Sequence, residues 1–397
     1  MRVSTQAFFN NSISTLQRLQ SDLTDLQEQI ATGRRIQRPS DDPVGAARVL
    51  DYRQSIDAID QFQRNTGLAD SRLQLEEQTL TEFTNLLQRA RELSLQAGNA
   101  TQSQQTRGFI AKEIRQNVEE ALSLANTRDA ADEFLFSGFQ TGTQPYTRVG
   151  DTFVYNGDQG QRYVQLSASR QIADSDPGDS IFGRIREGNG QILATADSAN
   201  TGTGVIVNDT QSEVSGYAFE SYAIEFVADD SFEVRDDSGA LVTSGAFASG
   251  DSIAFNGISI SIDGSPTAGD RFAIDPSPNT DVFSILTNLA NALENGAETS
   301  TGRATTDNAV NRGLAGIDQA LDSVLSARTK IGARLAVTES QLDTNAGTKL
   351  VLQSSLADIE DLDYAAAISA LAQQSAALEA AQQSFVRVQS LSLFNFL

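Results

Sequence analysis

The chain has 397 residues and a formal net charge of −23, because 52 acidic residues outnumber 29 basic ones. This surplus of negative charge argues against a nucleic-acid-binding protein, which needs basic side chains against phosphates, and against a polybasic protein of membrane surfaces. Histidine, cysteine and tryptophan are absent, which excludes histidine-dependent triads, thiol catalysis, thiolate metal sites and disulfides. We therefore expect neither an enzyme nor a cofactor or metal site.

The sequence also lacks the segments that direct a chain into a membrane. No stretch reaches the ~18 uninterrupted apolar residues of a membrane span. Residues 1–18 contain no charged region followed by an apolar run and a small-residue cleavage site, as a secretory signal would. We expect a cytoplasmic protein, or one exported by a route that reads no such signal.

Composition divides the chain into two flanks and a middle. Residues 1–140 and 280–397 are rich in helix-forming residues and hold only Pro39 and Pro43. Residues 141–279 hold five of the seven prolines and 17 of the 29 glycines, with a net charge of −13. The predicted class is mainly α with a β insertion (α+β), in which helical flanks surround a central, mostly β domain.

Apolar residues in both flanks recur in alternating steps of three and four, which is the period of a coiled coil. The first helix carries Leu16, Leu19, Leu23, Leu26 and Ile30. A second ladder runs from Ile59 to Ala90, and a third runs from Leu314 to Ile359 with 14 rungs, ten of them apolar. A period held this long predicts an elongated coiled-coil rod, with a long helix in an ordinary bundle as the alternative. Polar residues at rungs of the third ladder usually set register. The rungs that interrupt the ladder in this way include Arg328, Asn345 and Lys349.

Helix boundaries are marked by residues that favour caps. Gly33 suits the end of the first helix, Asp42-Pro43 suits the start of the second, and Gly98 suits its end. A third helix is predicted over 103–136. In the middle region, alternating residues predict one hairpin over 222–235 and another over 252–262 about Asn256-Gly257, followed by a strand over 271–274. Residues 141–215 predict three or four further strands.

Both chain ends are apolar and present the same burial problem. Tyr364–Leu397 is an alanine-rich helix with a thin apolar stripe, and such a helix is marginal in isolation. We expect the two ends to be buried either on their own chain or between copies, and to order on assembly. The predicted assembly residues are Phe8, Phe9, Ile13, Leu16, Leu19, Leu23, Leu26, Ile30, Ile368, Leu371, Leu378, Phe385, Val388, Leu391, Leu393, Phe394, Phe396 and Leu397.

Several short segments resemble the flagellin superfamily in order and placement. They are Arg2-Val-Ser-Thr5, Ile30–Ile36 running into Arg38–Pro43, Phe134–Phe139 and Ala357–Ala365, which together span both flanks. The ending Ser390–Leu397 resembles the hook-associated protein 3 branch of that superfamily, and the segment 250–276 is similar to the β domain of hook-associated proteins. Leu362, Asn395 and Phe396 depart from the family pattern without weakening the resemblance.

The resemblance implies a structural adaptor of the bacterial flagellum that joins the hook to the filament. It implies an extracellular protein exported unfolded without a cleaved signal, with an inner coiled-coil tube and an outward β domain. The implied partners are further copies of the chain, hook-associated protein 1, flagellin and a flagellar export chaperone. Three domains follow: terminal helices (1–42 with 358–397) disordered until assembly, a helical rod (43–140 with 280–357) and an acidic outer β domain (141–279).

Two charge clusters would lie at one height if the termini run side by side. The basic cluster is Arg34, Arg35 and Arg38, and the acidic cluster is Asp358, Glu360, Asp361 and Asp363. We predict that they pair, within or between subunits, and fix the axial register of the inner tube. Two solvated charged turns are the alternative, because exposed ion pairs contribute little individually.

Other functions are less favoured by the sequence. Flagellin itself, the bulk filament subunit, is the main alternative, and a non-flagellar coiled-coil scaffold is another. Aspartates at 229–230, 236–237 and 174, 176 and 179 offer oxygen ligands for calcium, but their spacing matches no calcium loop and favours solvated turns. A hydrolase with a carboxylate pair in the β domain is the weakest reading.

Overall fold

A computed structural model describes residues 2–207 and 220–394. The helices of this part are α1 (Arg2–Thr32), α2 (Pro43–Ala97), α3 (Gln104–Ala125), α4 (Val282–Asn295), α5 (Ser300–Glu360) and α6 (Tyr364–Phe394). The strands before position 208 are β1 (Tyr146–Val149), β2 (Thr152–Tyr155), β3 (Tyr163–Gln165), β4 (Gln171–Ala173), β5 (Ile185–Arg186), β6 (Ile192–Ala196) and β7 (Val205–Val207). Those after position 219 are β8 (Tyr222–Ala228), β9 (Ser231–Asp236), β10 (Leu241–Ala246), β11 (Ser252–Phe255), β12 (Ile258–Asp263), β13 (Arg271–Pro276) and β14 (Asn279–Thr280). Helical flanks around a β-rich middle confirm the predicted α+β class.

The chain forms two compact units. The terminal unit comprises the described residues of 1–64 and 341–397, and the central unit comprises those of 65–340. The three-domain division stays a prediction.

Helix boundaries follow the predicted caps at three positions. Helix α1 ends just before Gly33, and α2 begins at Pro43, where the Asp42 carboxylate accepts the N–H of Gly45 at 2.9 Å. Helix α2 ends just before Gly98. The predicted extent of the third helix was wrong, because α3 ends at Ala125 rather than Phe136.

A side chain explains why α3 stops early. The Asn126 amide donates to the Tyr146 carbonyl at 3.0 Å and accepts the Tyr146 N–H at 2.9 Å. These two hydrogen bonds mimic a strand partner for the backbone of Tyr146. The chain therefore leaves the helix and turns toward β1, which the helical pattern of the sequence did not reveal.

The strands predicted after position 220 are confirmed. Strands β8 and β9 form an antiparallel hairpin, and so do β11 and β12. The second hairpin turns through Asn256 and Gly257 with φ of +41° and +77°, the left-handed values that such a two-residue turn requires. The estimate of three or four strands over 141–215 was too low, because the described residues up to Val207 already contain β1–β7.

Two sheets dominate the middle of the chain. One has five strands in the order β10-β9-β8-β13-β6, and the other has three in the order β11-β12-β7. Their apolar residues form one core, which includes Ile224, Val234 and Phe272. A second core joins α2–α5 to the first β segments, where the rings of Phe83 and Phe182 lie 4.6 Å apart.

Two aspartates expected in solvated turns are buried instead, so that interpretation was wrong for them. Asp176 is held by both terminal nitrogens of Arg334 at 2.8 and 2.9 Å, and Asp174 lies 2.8 Å from Arg162. Arginine neutralises each carboxylate and supplies planar hydrogen bonds, which makes the burial tolerable.

Glu76 is also buried beside this arginine and aspartate network. Its carboxyl accepts the N–H of Asp176 at 3.1 Å, while its other oxygen has no hydrogen-bond partner among the described residues. Burial raises the pKa of Glu76 well above its ordinary value, and the negative charge of Asp176 raises it further. Glu76 lies within the second ladder, between Ile59 and Ala90, and its place there gives no sign of a perturbed acid.

Candidate assembly site at the chain ends

Helices α1 and α6 pack against each other in the terminal unit. Their contact includes the rings of Phe9 and Phe385, whose centroids lie 5.1 Å apart in a tilted arrangement. The two apolar stripes predicted at the ends of the chain are therefore brought together within one subunit.

The packing of α1 on α6 leaves the predicted assembly residues incompletely covered. Phe9, Ile368 and Val388 are 40%, 56% and 43% exposed. The half-buried members are Ile13, Leu16, Leu19, Leu23, Leu26, Ile30, Leu371, Leu378 and Phe385. The side chains of Phe8, Leu391, Leu393 and Phe394, and the whole of Phe396 and Leu397, lie outside the described residues. No predicted stripe residue with a described side chain is fully buried.

Exposed apolar side chains on α2 and α5 of the terminal unit were missed by the sequence reasoning. Val44 and Leu50 on α2 are 66% and 68% exposed, and Leu350 and Val351 on α5 are 68% and 65% exposed. All four lie outside the three ladders, which is why a search for coiled-coil rungs passed over them. The adjacent pair Leu350-Val351, directly after the polar rung Lys349, was the available signal.

The segment after α1 is joined to the break between α5 and α6 by the backbone. Arg35 N–H donates to the Glu360 carbonyl at 2.7 Å, and Leu362 N–H donates to the Gly33 carbonyl at 3.0 Å. Arg34 and Asp361 lie opposite each other in this antiparallel bridge. The backbone contact thus places the basic and acidic clusters at the same level of the terminal unit.

Side chains of the two clusters reinforce this bridge at two points. Arg34 Nε lies 2.8 Å from a carboxylate oxygen of Glu360, which is largely buried and which Arg53 also contacts. The Arg35 guanidinium donates to the Ile359 carbonyl at 2.9 Å. These contacts hold the residues that follow α1 against the end of α5.

The remaining members of the clusters have other contacts. Arg38 pairs with Glu28 at 3.1 Å, and Asp363 accepts the N–H groups of Ala365 and Ala366 at the start of α6. Asp358 is exposed on the last turn of α5.

Two residues make the turn after α1 specific. Gly33 has φ of +71°, and a Cβ at this position would lie 2.8 Å from the Tyr364 hydroxyl. Asp41 accepts the N–H of Arg38 at 2.8 Å, and this hydrogen bond is the main reason that the pKa of Asp41 is lowered from its ordinary value. Only glycine tolerates both the left-handed backbone and the close approach at position 33.

Polar rungs of the terminal unit are paired. Lys349 Nζ lies 2.5 Å from Asp60, and the Gln341 amide donates to Asn345 at 2.9 Å. The first contact links the third ladder to α2, and the second pairs the side chains of two buried amides, Gln341 and Asn345. In the central unit, Arg328 links the same ladder to Glu77 of α2 at 2.7 Å. Such pairs favour one alignment of two helices over its neighbours.

Within residues 2–207 and 220–394, no group of acidic side chains is arranged to hold a metal ion. No helix in the same ranges is both long enough and apolar enough to cross a membrane. The helical ends and the bridge that joins them form the candidate assembly site.

Comparison with known proteins also points to the helical flanks of the chain. The family model for the bacterial flagellin N-terminal helical region matches residues 3–141, and that for the C-terminal helical region matches residues 314–397. The crystal structure of the flagellar junction protein FlgL from Legionella pneumophila is 31% identical, with a TM-score of 0.72 over 79% of this chain and 99% of that one. The chain belongs to the FlgL family of the flagellin superfamily.

Two further relatives separate the branches of the superfamily. The flagellar hook-associated protein 3 of Escherichia coli is 24% identical over 99% of both chains. The phase 1 flagellin of Salmonella naestved is 36% identical, but over only 126 residues, or 30% of this chain and 25% of that flagellin. Likeness to flagellin is therefore partial, whereas likeness to hook-associated protein 3 runs the whole length. The predicted resemblance to the hook-associated protein 3 branch is confirmed.

Proposed function

We propose that this chain is a structural adaptor that joins the flagellar hook to the flagellin filament by polymerisation of its terminal helices. The observation that carries the proposal is the incomplete burial of the α1 and α6 stripes within one subunit. Neighbouring copies would cover what one subunit leaves in water. The role is structural and needs no catalytic step, cofactor or metal.

Two opposing energies make such assembly sensitive to concentration. Covering apolar surface contributes roughly 25 cal/mol per Å². Ordering a terminal helix costs about 1–2 kcal/mol per residue in backbone entropy. Because the two contributions oppose each other, we expect assembly to be steep in concentration and to start on a pre-existing end.

The proposed partners follow from the place of an adaptor in the structure. They are further copies of this chain, hook-associated protein 1 on the hook side and flagellin on the filament side, with an export chaperone before assembly. The proposed location is outside the cell on the flagellum, after export without a cleaved signal. An intact-mass measurement on the assembled protein tests the last point, because removal of a signal would shorten the chain.

We further propose that the bridge between Gly33–Arg35 and Glu360–Leu362 fixes the axial register of α1 against α6. The two backbone hydrogen bonds and the Arg34–Glu360 pair support this role. A slip of one helix past the other would take Arg34 away from the largely buried Glu360 carboxylate and leave it with Arg53 alone. Loss of a partner at a buried carboxylate costs more than an exposed pair contributes.

Gene deletion tests the adaptor role. In a bacterium that makes this chain, deletion should leave hooks that shed unpolymerised flagellin into the medium. Complementation with the wild-type gene should restore filaments. A deletion strain that releases no flagellin, because this chain was itself the bulk filament subunit, would contradict the adaptor role and favour flagellin. Attached filaments in the deletion strain would contradict both.

Charge reversal tests the register role. Arg34→Glu should impair complementation, and the double variant Arg34→Glu/Glu360→Arg should restore it in part. Arg38→Glu is the matched control, because Arg38 pairs with Glu28 rather than with the acidic cluster. Equal impairment by Arg34→Glu and Arg38→Glu, with no rescue by the double variant, would count against the pairing.

A further inference from the structure

The five-stranded sheet of the central unit ends in two strands without charge or proline. Its edges are β6, Ile-Leu-Ala-Thr-Ala, and β10, Leu-Val-Thr-Ser-Gly-Ala. An uncharged edge strand can accept another strand, and proteins ordinarily prevent this with charge, proline or a covering segment. Both edges of this sheet are therefore competent to pair.

The register of β6 shows which of its backbone groups are available. Asp197 N–H donates to the Arg271 carbonyl at 3.0 Å, so the odd-numbered residues of β6 face β13. The N–H and C=O groups of Ala194 and Ala196 point the other way. Among the described residues these groups have no backbone partner, and both alanines line a cavity of about 970 Å³.

The volume of this cavity is comparable with that of one short strand. At ~3.3 Å per residue, ~4.8 Å between strands and ~10 Å of sheet thickness, five residues occupy about 800 Å³. The facing strand β7 is already satisfied by α5, because Asn308 accepts the Ile206 N–H at 2.8 Å and Asn311 donates to its carbonyl at 2.9 Å. Among residues 2–207 and 220–394, no side chain bonds the outward backbone groups of Ala194 and Ala196 in this way.

The opposite edge, β10, is exposed. Phe247 N–H donates to the Asp230 carbonyl at 2.7 Å, so the odd-numbered residues near the end of β10 face β9. The backbone groups of Ser244 and Ala246 point outward, and both residues are exposed. Each edge thus presents outward backbone donors and acceptors at two alternate residues.

The strand directions and the charges near the strand ends favour pairing of β10 with β6, rather than of two copies of the same edge. Adjacent strands of the sheet are all antiparallel, so β6 and β10 run the same way and a copy placed alongside presents β10 parallel to β6. The acidic Asp236-Asp237 turn precedes β10. Arg312 lines the same cavity as Gly188, which comes just before β6, and Arg312 forms no ion pair with a described carboxylate. Parallel pairing brings these opposite charges to the same end.

We propose that β10 of one copy adds to β6 of the next, so that the β-rich domains of neighbouring copies form a continuous sheet. This rests on the proposed function only in that assembly brings copies side by side. The contact is head-to-tail, as a ring or helical lattice requires. It would add a second link between subunits to the one made by the terminal helices.

The absence of native cysteine allows a direct test by disulfide formation. Ala194→Cys is combined with Ser244→Cys or with Gly245→Cys, so that one combination places both thiols on the same face of the joined sheet. Within one chain the two edges are four strand spacings apart, about 19 Å, which is too far for a disulfide. Any disulfide must therefore join two copies.

The test uses flagella isolated from a deletion strain complemented with each variant and then oxidised. We expect a ladder of dimers, trimers and larger species with at least one combination. Adding Ala246→Pro should lower the cross-linked fraction at least tenfold, because proline removes an outward N–H without breaking a β9 hydrogen bond. The single-cysteine chains are the matched controls and should remain monomeric.

Three results would overturn the proposal. Attached filaments with monomeric chain in both combinations would refute edge pairing while leaving the adaptor role intact. Dimers from Ser244→Cys alone would indicate pairing of two β10 edges, and a cross-link from Ala194→Cys alone to another protein would indicate a foreign strand. If a double variant fails to assemble, co-expression of the two single-cysteine chains provides the same test.

Discussion

The terminal and central units use the same kind of apolar ladder with different results. In the central unit, Leu73, Leu80 and Leu87 on α2 are fully buried beneath neighbouring helices. In the terminal unit, Leu16, Leu19 and Leu23 on α1 are only half-buried. An equally regular pattern of apolar residues is thus fully buried in the central unit and remains partly exposed in the terminal unit. Assembly would bury the apolar residues that the terminal unit leaves exposed.

The largest expected effect is on the free energy of unfolding, when one phenylalanine from each unit is replaced by alanine. Phe83→Ala should lower the free energy of unfolding by about 3–5 kcal/mol, because a fully buried ring against Phe182 is lost. Phe385→Ala should lower it by less than ~1 kcal/mol in the free subunit, because that ring is only half-buried. Urea unfolding of the free subunit measures both.

In assembly, Phe385→Ala should have the larger effect of the two variants. Phe385→Ala should abolish complementation of the deletion strain, although its central unit is intact. If Phe385→Ala lowered the free energy of unfolding of the free subunit by several kcal/mol, the terminal unit would already bury its apolar residues without assembly.

A second effect concerns the buried acid of the central unit. Glu76 has a raised pKa in the folded chain, so it holds a proton that the unfolded chain releases. Its contribution to stability is complete below its ordinary pKa of 4.5 and is lost as the pH rises through the folded value. The stability of wild type relative to Glu76→Gln should fall by about 1.4 kcal/mol per pH unit in that window.

Urea unfolding of both chains between pH 4 and 8 measures this difference. Glu120→Gln, a change at an exposed position of α3, controls for the loss of one negative charge. A constant difference between wild type and Glu76→Gln across the range would refute the assignment of a buried, protonated carboxyl. The terminal unit should show no such dependence on Glu76.

The smallest effect compares two glycines of the terminal unit. Gly33→Ala should destabilise the bridge by about 1–2 kcal/mol, because alanine strains a left-handed backbone and meets the Tyr364 hydroxyl. Gly347→Ala should instead stabilise α5 by roughly 0.5–1 kcal/mol, because its helical position has open space around it. Thermal unfolding followed by helical circular dichroism measures both, and equal effects would contradict the specific role of Gly33.

The sequence predicted the helices and hairpins that depend on local signals. The caps at Gly33 and Asp42-Pro43 and the Asn256-Gly257 turn act over a few residues, so they could be read directly. The end of α3 could not, because it depends on hydrogen bonds between Asn126 and Tyr146, twenty residues away. Strands β3, β5 and β7 are too short for alternation to mark them.

The candidate site was predictable in outline and not in its contacts. Spacing placed the apolar stripes on α1 and α6, and the two charge clusters at one level. It could not distinguish Arg34, which pairs with Glu360, from Arg38, which pairs with Glu28. Nor could it reveal that Asp176 and Glu76 are buried together, because arginines from distant segments make that burial possible.

Hydrogen exchange of the free and the assembled subunit tests the central claim most directly. We predict that amides of α1 and α6 exchange rapidly in the free subunit, while those of α2 and α5 in the central unit are protected. Assembly should then slow exchange in α1 and α6 by orders of magnitude. Protection of α1 and α6 in the free subunit equal to that of the central unit, unchanged on assembly, would contradict the account.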